Sequence, residues 1–167
     1  MGFGTDMEIK RILVPVDFSD NSLQAKSFAE GLAEQFKSEM ELLHVVESSP
    51  YEVYIQKGFQ ADVPIYVPIG ETPPGSKPNV LVKNLMDEAR NRLEQMAGPK
   101  AKVKTAVRHG RAVEEILREV DAYKPDLLVI CTHGWTGLKH MLLGSVTEKI
   151  VRLCPVPVLT TRGNMGS

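Results

Sequence analysis

Residues 126–145 read DLLVICTHGWTGLKHMLLGS, an apolar run followed by a loop that contains three glycines. The run at 126–131 is the most apolar in the chain, which is typical of a strand buried on both faces of a parallel sheet, so we expect it in a central position. Ser145 and Glu148 form an S-x-x-E capping box, which predicts that a helix begins at Ser145. A strand, a loop and a helix in this order are typical of α/β proteins.

The same alternation of strands and helices extends over most of the chain. Apolar runs at 11–16, 40–46 and 156–161 predict three more strands, and the period-two alternation at 102–107 predicts a strand near an edge of the sheet. Apolar residues at three- and four-residue spacing predict four helices, the first of them capped by Ser19. The order βαβαβαβαβ predicts a mostly parallel sheet with helices on both faces. The apolar helix positions are Ala25, Phe28, Ala29, Leu32, Ala33 and Phe36; Val82, Leu85, Met86, Ala89, Leu93 and Met96; Ala112, Val113, Ile116, Leu117 and Val120; and Val146, Ile150, Val151 and Leu153.

Length and composition limit the classes of protein to which the chain can belong. Its 167 residues correspond to about one domain, and the hydrophobic share of 43% with a charged share of 25% is typical of a globular protein. The net charge of −1 excludes a general nucleic-acid binder, which needs a basic excess. Cys131 and Cys154 form neither a metal pair nor a disulfide framework, and residues 1–6 carry no export signal. We therefore expect a cytoplasmic protein without a membrane anchor.

The stretch 47–79 interrupts the regular alternation. It contains six of the eleven prolines of the chain, yet it is too rich in aromatic and apolar residues for a solvated linker. We expect short regular structure there, in an excursion that packs on the body of the protein or on a partner. A mobile tip is expected at 70–78.

Two side chains near predicted strand ends carry chemistry. Ligands of parallel α/β sheets bind beyond the carboxyl ends of the strands, and Asp17 follows the first strand at that end. Its carboxylate can accept hydrogen bonds from a ribose or hold a metal ion, or it can be a turn acid that favours the following helix. His44 lies within a buried strand pattern, where a hydrogen-bonded core histidine is more frequent than a catalytic base.

The loop after the most apolar strand has the features of a phosphate site. Gly134, Gly137 and Gly144 let the backbone approach an anion, and the free N–H groups at a helix start favour negative charge. The hydroxyl of Ser145 can cap the helix and donate to a phosphate oxygen. The spacing matches neither a Walker A loop nor G-x-G-x-x-G. A turn and a capped helix without a ligand are the alternative, and the basic pair at 139–140 is more often plain surface than a charge for the site.

The segments VPVDFS, THGWTGLKHMLLGSVTEKIV and CPVPVLT together resemble the universal stress protein family, over residues 10–162. This places short tails at 1–9 and 163–167 outside the domain. Nucleotide-binding members of that family carry G-x2-G-x9-G-[ST]. The chain keeps three of the four positions, at Gly134, Gly144 and Ser145, and has Cys131 at the first. Because Cys has a side chain where the family has none, we expect weakened or altered binding rather than its loss.

The resemblance implies a flavodoxin-like, single-domain fold whose five-stranded parallel sheet has the order 3-2-1-4-5. It implies binding of ATP or another adenine nucleotide, with Asp17 as the candidate for holding an accompanying Mg²⁺. It also implies a homodimer formed through the last strand at 156–161, which agrees with the aggregation hazard of an uncovered apolar edge. The implied nucleotide-binding residues are Pro15, Val16, Asp17, Val45, Ile130, Cys131, Thr132, His133, Gly134, Gly137, Gly144, Ser145 and Val146.

No set of residues suited to efficient hydrolysis is visible in the sequence, because neither a nucleophile with an activating partner nor a positioned base stands out. His133 in the loop is more often a structural donor than a chemical group. We therefore expect at most slow ATP turnover, in a nucleotide-binding stress or signalling module. The alternative is a nucleotide-free dimeric module in which Cys131 fills the base pocket and the excursion at 47–79 recruits a protein partner.

Overall fold

The computed structural model describes residues 8–47, 51–56, 63–68, 80–99, 102–132 and 144–162. None of the helices in these ranges is both long and apolar enough to cross a lipid bilayer. The elements are β1 (Arg11–Pro15), α1 (Asp20–Phe36), β2 (Glu39–Glu47), β3 (Tyr51–Gln56), β4 (Val63–Pro68), α2 (Val80–Ala97), β5 (Val103–Gly110), α3 (Ala112–Tyr123), β6 (Leu127–Cys131), α4 (Ser145–Leu153) and β7 (Val158–Thr161).

The main sheet has five strands in the order β5-β2-β1-β6-β7, and every neighbouring pair is parallel. Counted along the chain, this is the order 3-2-1-4-5, so the predicted fold class is confirmed. All five residues of β6 are buried, as its apolar run predicts, although β1 rather than β6 is the middle strand. β5 lies at one edge, where its alternating pattern placed it.

Helices cover the sheet on both faces. On one face α1 and α2 pack over a cluster that includes Ile12 and Val14. On the other face α3 and α4 pack over a cluster that includes Leu13. Successive residues of β1 thus serve opposite faces, because side chains alternate along a strand. This explains why its sequence is continuously apolar rather than alternating.

The buried stripe of α1 is narrower than its sequence pattern suggests. Ala25 and Ala29 are fully buried, whereas Phe28 and Phe36 are 48% and 44% exposed. The two alanines occupy the line of closest approach to the sheet, and Phe28 lies about 100° around the helix from Ala29. Other residues predicted on buried helix faces are also exposed, namely Leu85, Val151 and Leu153.

The proline-rich stretch contains a small second sheet that the sequence pattern did not predict. β3 and β4 pair antiparallel, with Tyr51 opposite Pro68 and Gln56 opposite Val63. Each strand has six residues, so regular structure in this stretch is short, as expected. Prolines are compatible with β4 because both strands of a two-stranded sheet are edge strands. The tip expected at 70–78 lies outside the described residues.

Candidate functional site

A cavity of about 390 Å³ lies at the carboxyl ends of β1, β2 and β6. This volume falls within the range of small-molecule sites in proteins, about 300 to 1,000 Å³. The position is the one at which parallel α/β sheets bind ligands, beside the middle strand where the winding direction switches.

Most of the described residues predicted to bind nucleotide meet in this cavity. Those that line it are Pro15, Val16, Asp17, Val45, Ile130, Cys131, Gly144, Ser145 and Val146. Thr132 stands next to the wall, where its N–H donates to the carbonyl of Thr161 and its carbonyl accepts from the N–H of Gly144. His133, Gly134 and Gly137 lie outside the described residues.

Several lining residues were missed by the sequence reasoning: Ser22, Leu43, Glu47, Ala112, Ile116 and Thr147. Part of this set had a signal in the sequence. Leu43 and Glu47 flank Val45 at a spacing of two, so the three share one face of β2. Ala112 and Ile116 had no comparable signal, because their approach to the cavity depends on how α3 packs over the sheet.

The turn between β1 and α1 holds Asp17 by hydrogen bonds to Ser19. Its Oδ1 accepts from the backbone N–H of Ser19 at 3.0 Å and from the hydroxyl at 2.5 Å. The Ser19 hydroxyl in turn accepts from the N–H of Ser22, which confirms Ser19 as the N-cap of α1. Asp17 is therefore a turn acid and, at the same time, a wall of the cavity.

His44 stands behind this turn rather than in the cavity wall. Its Nδ1 lies 2.8 Å from the carbonyl oxygen of Val16 and donates to it. Burial lowers the pKa of His44, while the bond to Val16 acts in the opposite direction. The hydrogen-bonded, half-buried imidazole confirms the interpretation of His44 as a core histidine.

The start of α4 differs from the predicted capping box. Gly144 is the N-cap, because its carbonyl accepts from the N–H of Glu148, and Ser145 is the first helical residue. The N–H of Gly144 donates to the carbonyl of Thr132 at 2.7 Å. A Cβ at Gly144 would lie 3.1 Å from that oxygen, so this close approach favours glycine. The helix therefore begins at Ser145, as predicted, but the prediction of Ser145 as the cap was wrong.

This geometry leaves backbone N–H groups of the first turn of α4 available to a ligand in the cavity. The N–H groups of a first helical turn have no acceptor within their own helix, and they carry partial positive charge. Those of Ser145 and Val146 belong to residues that line the cavity. A buried hydrogen bond from the Thr147 hydroxyl to the Cys131 carbonyl, 2.7 Å long, fixes this turn against the end of β6.

Cys131 is 7% exposed and belongs to the apolar cluster on the α1 and α2 face. The cavity exists with Cys131 among its lining residues. The cysteine that replaces the first motif glycine therefore leaves room for a ligand.

The charges and metal-binding capacity of the cavity follow from its side chains. Among the described lining residues the charged ones are Asp17 and Glu47, both acidic. Over the part of the chain that the structure describes, no three His, Cys, Asp or Glu side chains gather as a metal site would require. A phosphate bound here would therefore be held by backbone N–H groups of α4 and by any cation that accompanies it.

Comparisons with known proteins agree with this fold. The model of the universal stress protein family matches residues 8–162. Universal stress protein MJ0531 of Methanocaldococcus jannaschii is 31% identical over 156 residues, which cover 92% of this chain and 82% of that protein. MJ0577 of the same organism is 30% identical over 157 residues, covering 92% and 94% of the two chains.

Solved structures show the same likeness. That of MJ0577 superposes with a TM-score of 0.72 at 26% identity, and the match covers 95% of this chain and 99% of the other. A universal stress protein of Archaeoglobus fulgidus in complex with dAMP superposes with a TM-score of 0.57 at 16% identity, covering 92% and 98%. At this low identity, the similarity to the Archaeoglobus fulgidus protein shows a shared fold alone.

Proposed function

The chain belongs to the universal stress protein family, and from this we propose that it binds ATP or another adenine nucleotide and acts as a stress-response or signalling module. The observation that carries the proposal is the cavity itself. Asp17 and the first-turn residues of α4, Ser145 and Val146, line this one cavity. A hydrogen-bond acceptor and an anion-binding helix end in one cavity match the ribose and phosphate ends of a nucleotide.

The apolar part of the wall suits the base. Val45 and Pro15 lie on the strands beside Asp17, and all three line the cavity. Small-molecule sites commonly combine such apolar walls with a few polar groups that fix orientation. We assign the adenine to this side, the ribose to Asp17 and the phosphates to Gly144, Ser145 and Val146.

Magnesium fits this assignment as the counterion of the phosphates. Mg²⁺ is usually held by one or two carboxylates together with substrate phosphates. Asp17 is the residue that would hold it, and its Oδ1 is already engaged by Ser19. The ion would supply charge neutralisation for the phosphate chain.

The module is proposed as a regulator with at most slow ATP turnover. Efficient hydrolysis needs a base within reach of the attacking water. His44 directs its Nδ1 to Val16 instead. A cytoplasmic location is part of the proposal, and it rests on the cysteine pattern of the sequence.

We also propose a homodimer that forms through β7. Among the described strands β7 has β6 as a neighbour on one side, and its other side ends the sheet. Val151 and Leu153, near the end of the helix that comes before this strand, are 48% and 60% exposed. A second copy pairing along β7 would cover the open edge of the sheet.

The first experiment identifies any small molecule that remains bound to the purified protein. The purified protein is denatured, and the released small molecules are analysed for adenine nucleotides; thermal shifts with ATP, ADP, cyclic AMP and GTP follow. We expect stabilisation by adenine nucleotides and a smaller effect of GTP. If no nucleotide is released and none stabilises the protein, the nucleotide-free interaction module is correct instead.

A matched pair of variants then tests the site. Asp17→Asn keeps an acceptor for Ser19 and removes the charge, so we expect ATP to bind about tenfold more weakly. Asp20→Asn is the control, because Asp20 is an exposed residue of the first turn of α1 and does not line the cavity. Equal affinities of the two variants would contradict the assignment of Asp17.

A further inference from the structure

Phe18 follows Asp17 and has a backbone conformation that phenylalanine seldom adopts. Its φ is 64°, in the left-handed region that disfavours bulky side chains. Such a conformation persists only where the surrounding structure enforces it, and it is frequent at ligand sites. The contacts of Phe18 therefore show what holds the turn at residues 16–19.

The ring of Phe18 contacts two polar side chains from different elements. The first is the imidazole of His44 on β2, with ring centroids 4.3 Å apart and planes inclined by 33°. The second is the guanidinium of Arg92 on α2, which lies over the ring, 4.1 Å from its centroid. We call these three side chains the Arg92 stack.

The stack is joined to the backbone on the cavity side of the turn. His44 donates to the carbonyl of Val16, and the N–H of Val16 donates to the carbonyl of Leu43. Val16 and Asp17, the two residues before Phe18, line the cavity. The stack is therefore separated from Asp17 by one peptide unit.

We propose that Arg92 is a positioning residue for the nucleotide site: through its stack on Phe18 and His44 it holds the turn in the conformation that presents Asp17 to the ligand. This inference rests on the proposed nucleotide binding, and it makes α2 a supporting element of the site although α2 supplies none of its described lining residues. Guanidinium is suited to this role because it is planar, permanently charged and stacks on aromatic faces.

The decisive comparison is between Arg92→Ala and Arg90→Ala. Both arginines are exposed on α2, and Arg90 pairs with Asp87 on its own helix. We expect Arg92→Ala to weaken ATP binding about threefold to tenfold, which is the range of a cation–π contact. Arg90→Ala keeps the wild-type affinity. Arg92→Lys, which keeps the charge and lacks the plane, falls between them.

Two measurements on the nucleotide-free protein separate positioning from general stability. Hydrogen exchange at the N–H groups of Val16 and Ser19 becomes faster in Arg92→Ala and not in Arg90→Ala. Burial is the main cause of the lowered pKa of His44, the charge of Arg92 lowers it further, and Asp17 raises it. We therefore expect the pKa of His44 to rise in Arg92→Ala.

A double-mutant cycle with Phe18→Leu completes the test. In the Phe18→Leu background Arg92→Ala has no further effect on exchange or affinity, because the aromatic face is already gone. Additive effects, or equal exchange and affinity in Arg92→Ala and Arg90→Ala, overturn the inference. If the wild-type protein binds no nucleotide, the proposed function is wrong, and the exchange data alone decide whether Arg92 holds the turn.

Discussion

The carboxyl groups of Glu41 on β2 and Glu119 on α3 lie close together beneath α3, and the charge of Glu119 acts on Glu41. Both side chains are buried, and the guanidinium of Arg108 on β5 donates to Glu119. Burial, followed by the charge and hydrogen bond of Glu119, raises the pKa of Glu41 to about 7, while Arg108 and Lys104 act in the opposite direction. At neutral pH the carboxyl group of Glu41 is therefore partly protonated.

The proton makes stability depend on pH. The pKa of Glu41 is higher in the folded protein than the ordinary 4.5. The contribution of protonated Glu41 to the free energy of unfolding is therefore fully present below pH 4.5 and is lost as the pH rises through 7. We expect Glu41→Gln to remove this loss and to raise the free energy of unfolding at pH 8 by up to about 3 kcal/mol relative to wild type. Urea unfolding at pH 5 and pH 8 measures it.

The exposed Glu114 on α3 supplies the control for that experiment. Glu114→Gln should follow the wild-type dependence of stability on pH. If Glu41→Gln follows it as well, the protonated pair is absent.

The close contact between Gly144 and Thr132 predicts a loss of binding on substitution. In Gly144→Ala the new Cβ meets the carbonyl oxygen at 3.1 Å, so the start of α4 must shift by a few tenths of an ångström. We expect ATP to bind severalfold more weakly, with a stability cost of about 1 kcal/mol. Gly31→Ala on α1 is the matched control, because nothing lies within 4 Å of its Cβ. Calorimetric titration of both variants with ATP decides; equal affinities would remove α4 from the site.

The buried bond between the Thr147 hydroxyl and the Cys131 carbonyl predicts a stability effect. Thr147→Val keeps the shape and loses the donor, so we expect the free energy of unfolding to fall by about 1 to 2 kcal/mol. Thr105→Val on β5, half-buried and away from the cavity, should change it much less. Denaturant unfolding compares the two variants. A smaller loss in Thr147→Val than in Thr105→Val would contradict the role of this bond.

The edge of β7 predicts a way to break the proposed dimer without damage to the monomer. The carbonyls of Pro157 and Thr161 accept from Leu128 of β6 and from Thr132 just after it, so the backbone groups of Thr160, which alternate with them, face the open edge. Thr160→Pro removes the outward N–H and is compatible with an edge strand. We expect Thr160→Pro to be monomeric and Thr160→Val to be dimeric by light scattering. A dimeric Thr160→Pro protein would place the interface elsewhere.

The main sheet could be predicted closely because each of its strands has a strong local signal. The apolar run at 40–46 agrees with β2, Glu39–Glu47, to within one residue at each end. β4 had no such signal, since Pro64 and Pro68 occupy positions where a central strand would need donors, and β3, which contains no proline, lies in the same proline-rich stretch. The pairing of Tyr51 with Pro68 is visible only in three dimensions.

The residues of the candidate site that lie at strand ends and in loops could be predicted from the sequence. Those that reach the cavity through the packing of helices on the sheet could not. Asp17 follows directly from its place after β1. The role of Gly144 as the cap of α4 could not be predicted, because it depends on the close approach of the Thr132 carbonyl to the Gly144 N–H. Residue types alone do not show that contact. Glu41 was likewise hidden, because an acidic residue in a strand is normally assigned to the surface.

The order of the strands in the sheet has a consequence for when the cavity can form. β1, the middle strand, needs β6 as a neighbour, and the N–H of Lys10 bonds the side chain of Asp126, 116 residues further along the chain. Contacts of such separation form late and slow the folding of parallel sheets. A nascent chain that ends before β6 has Asp17 but lacks the residues of β6 and α4 that line the cavity, so the cavity cannot form until these two elements have been synthesised.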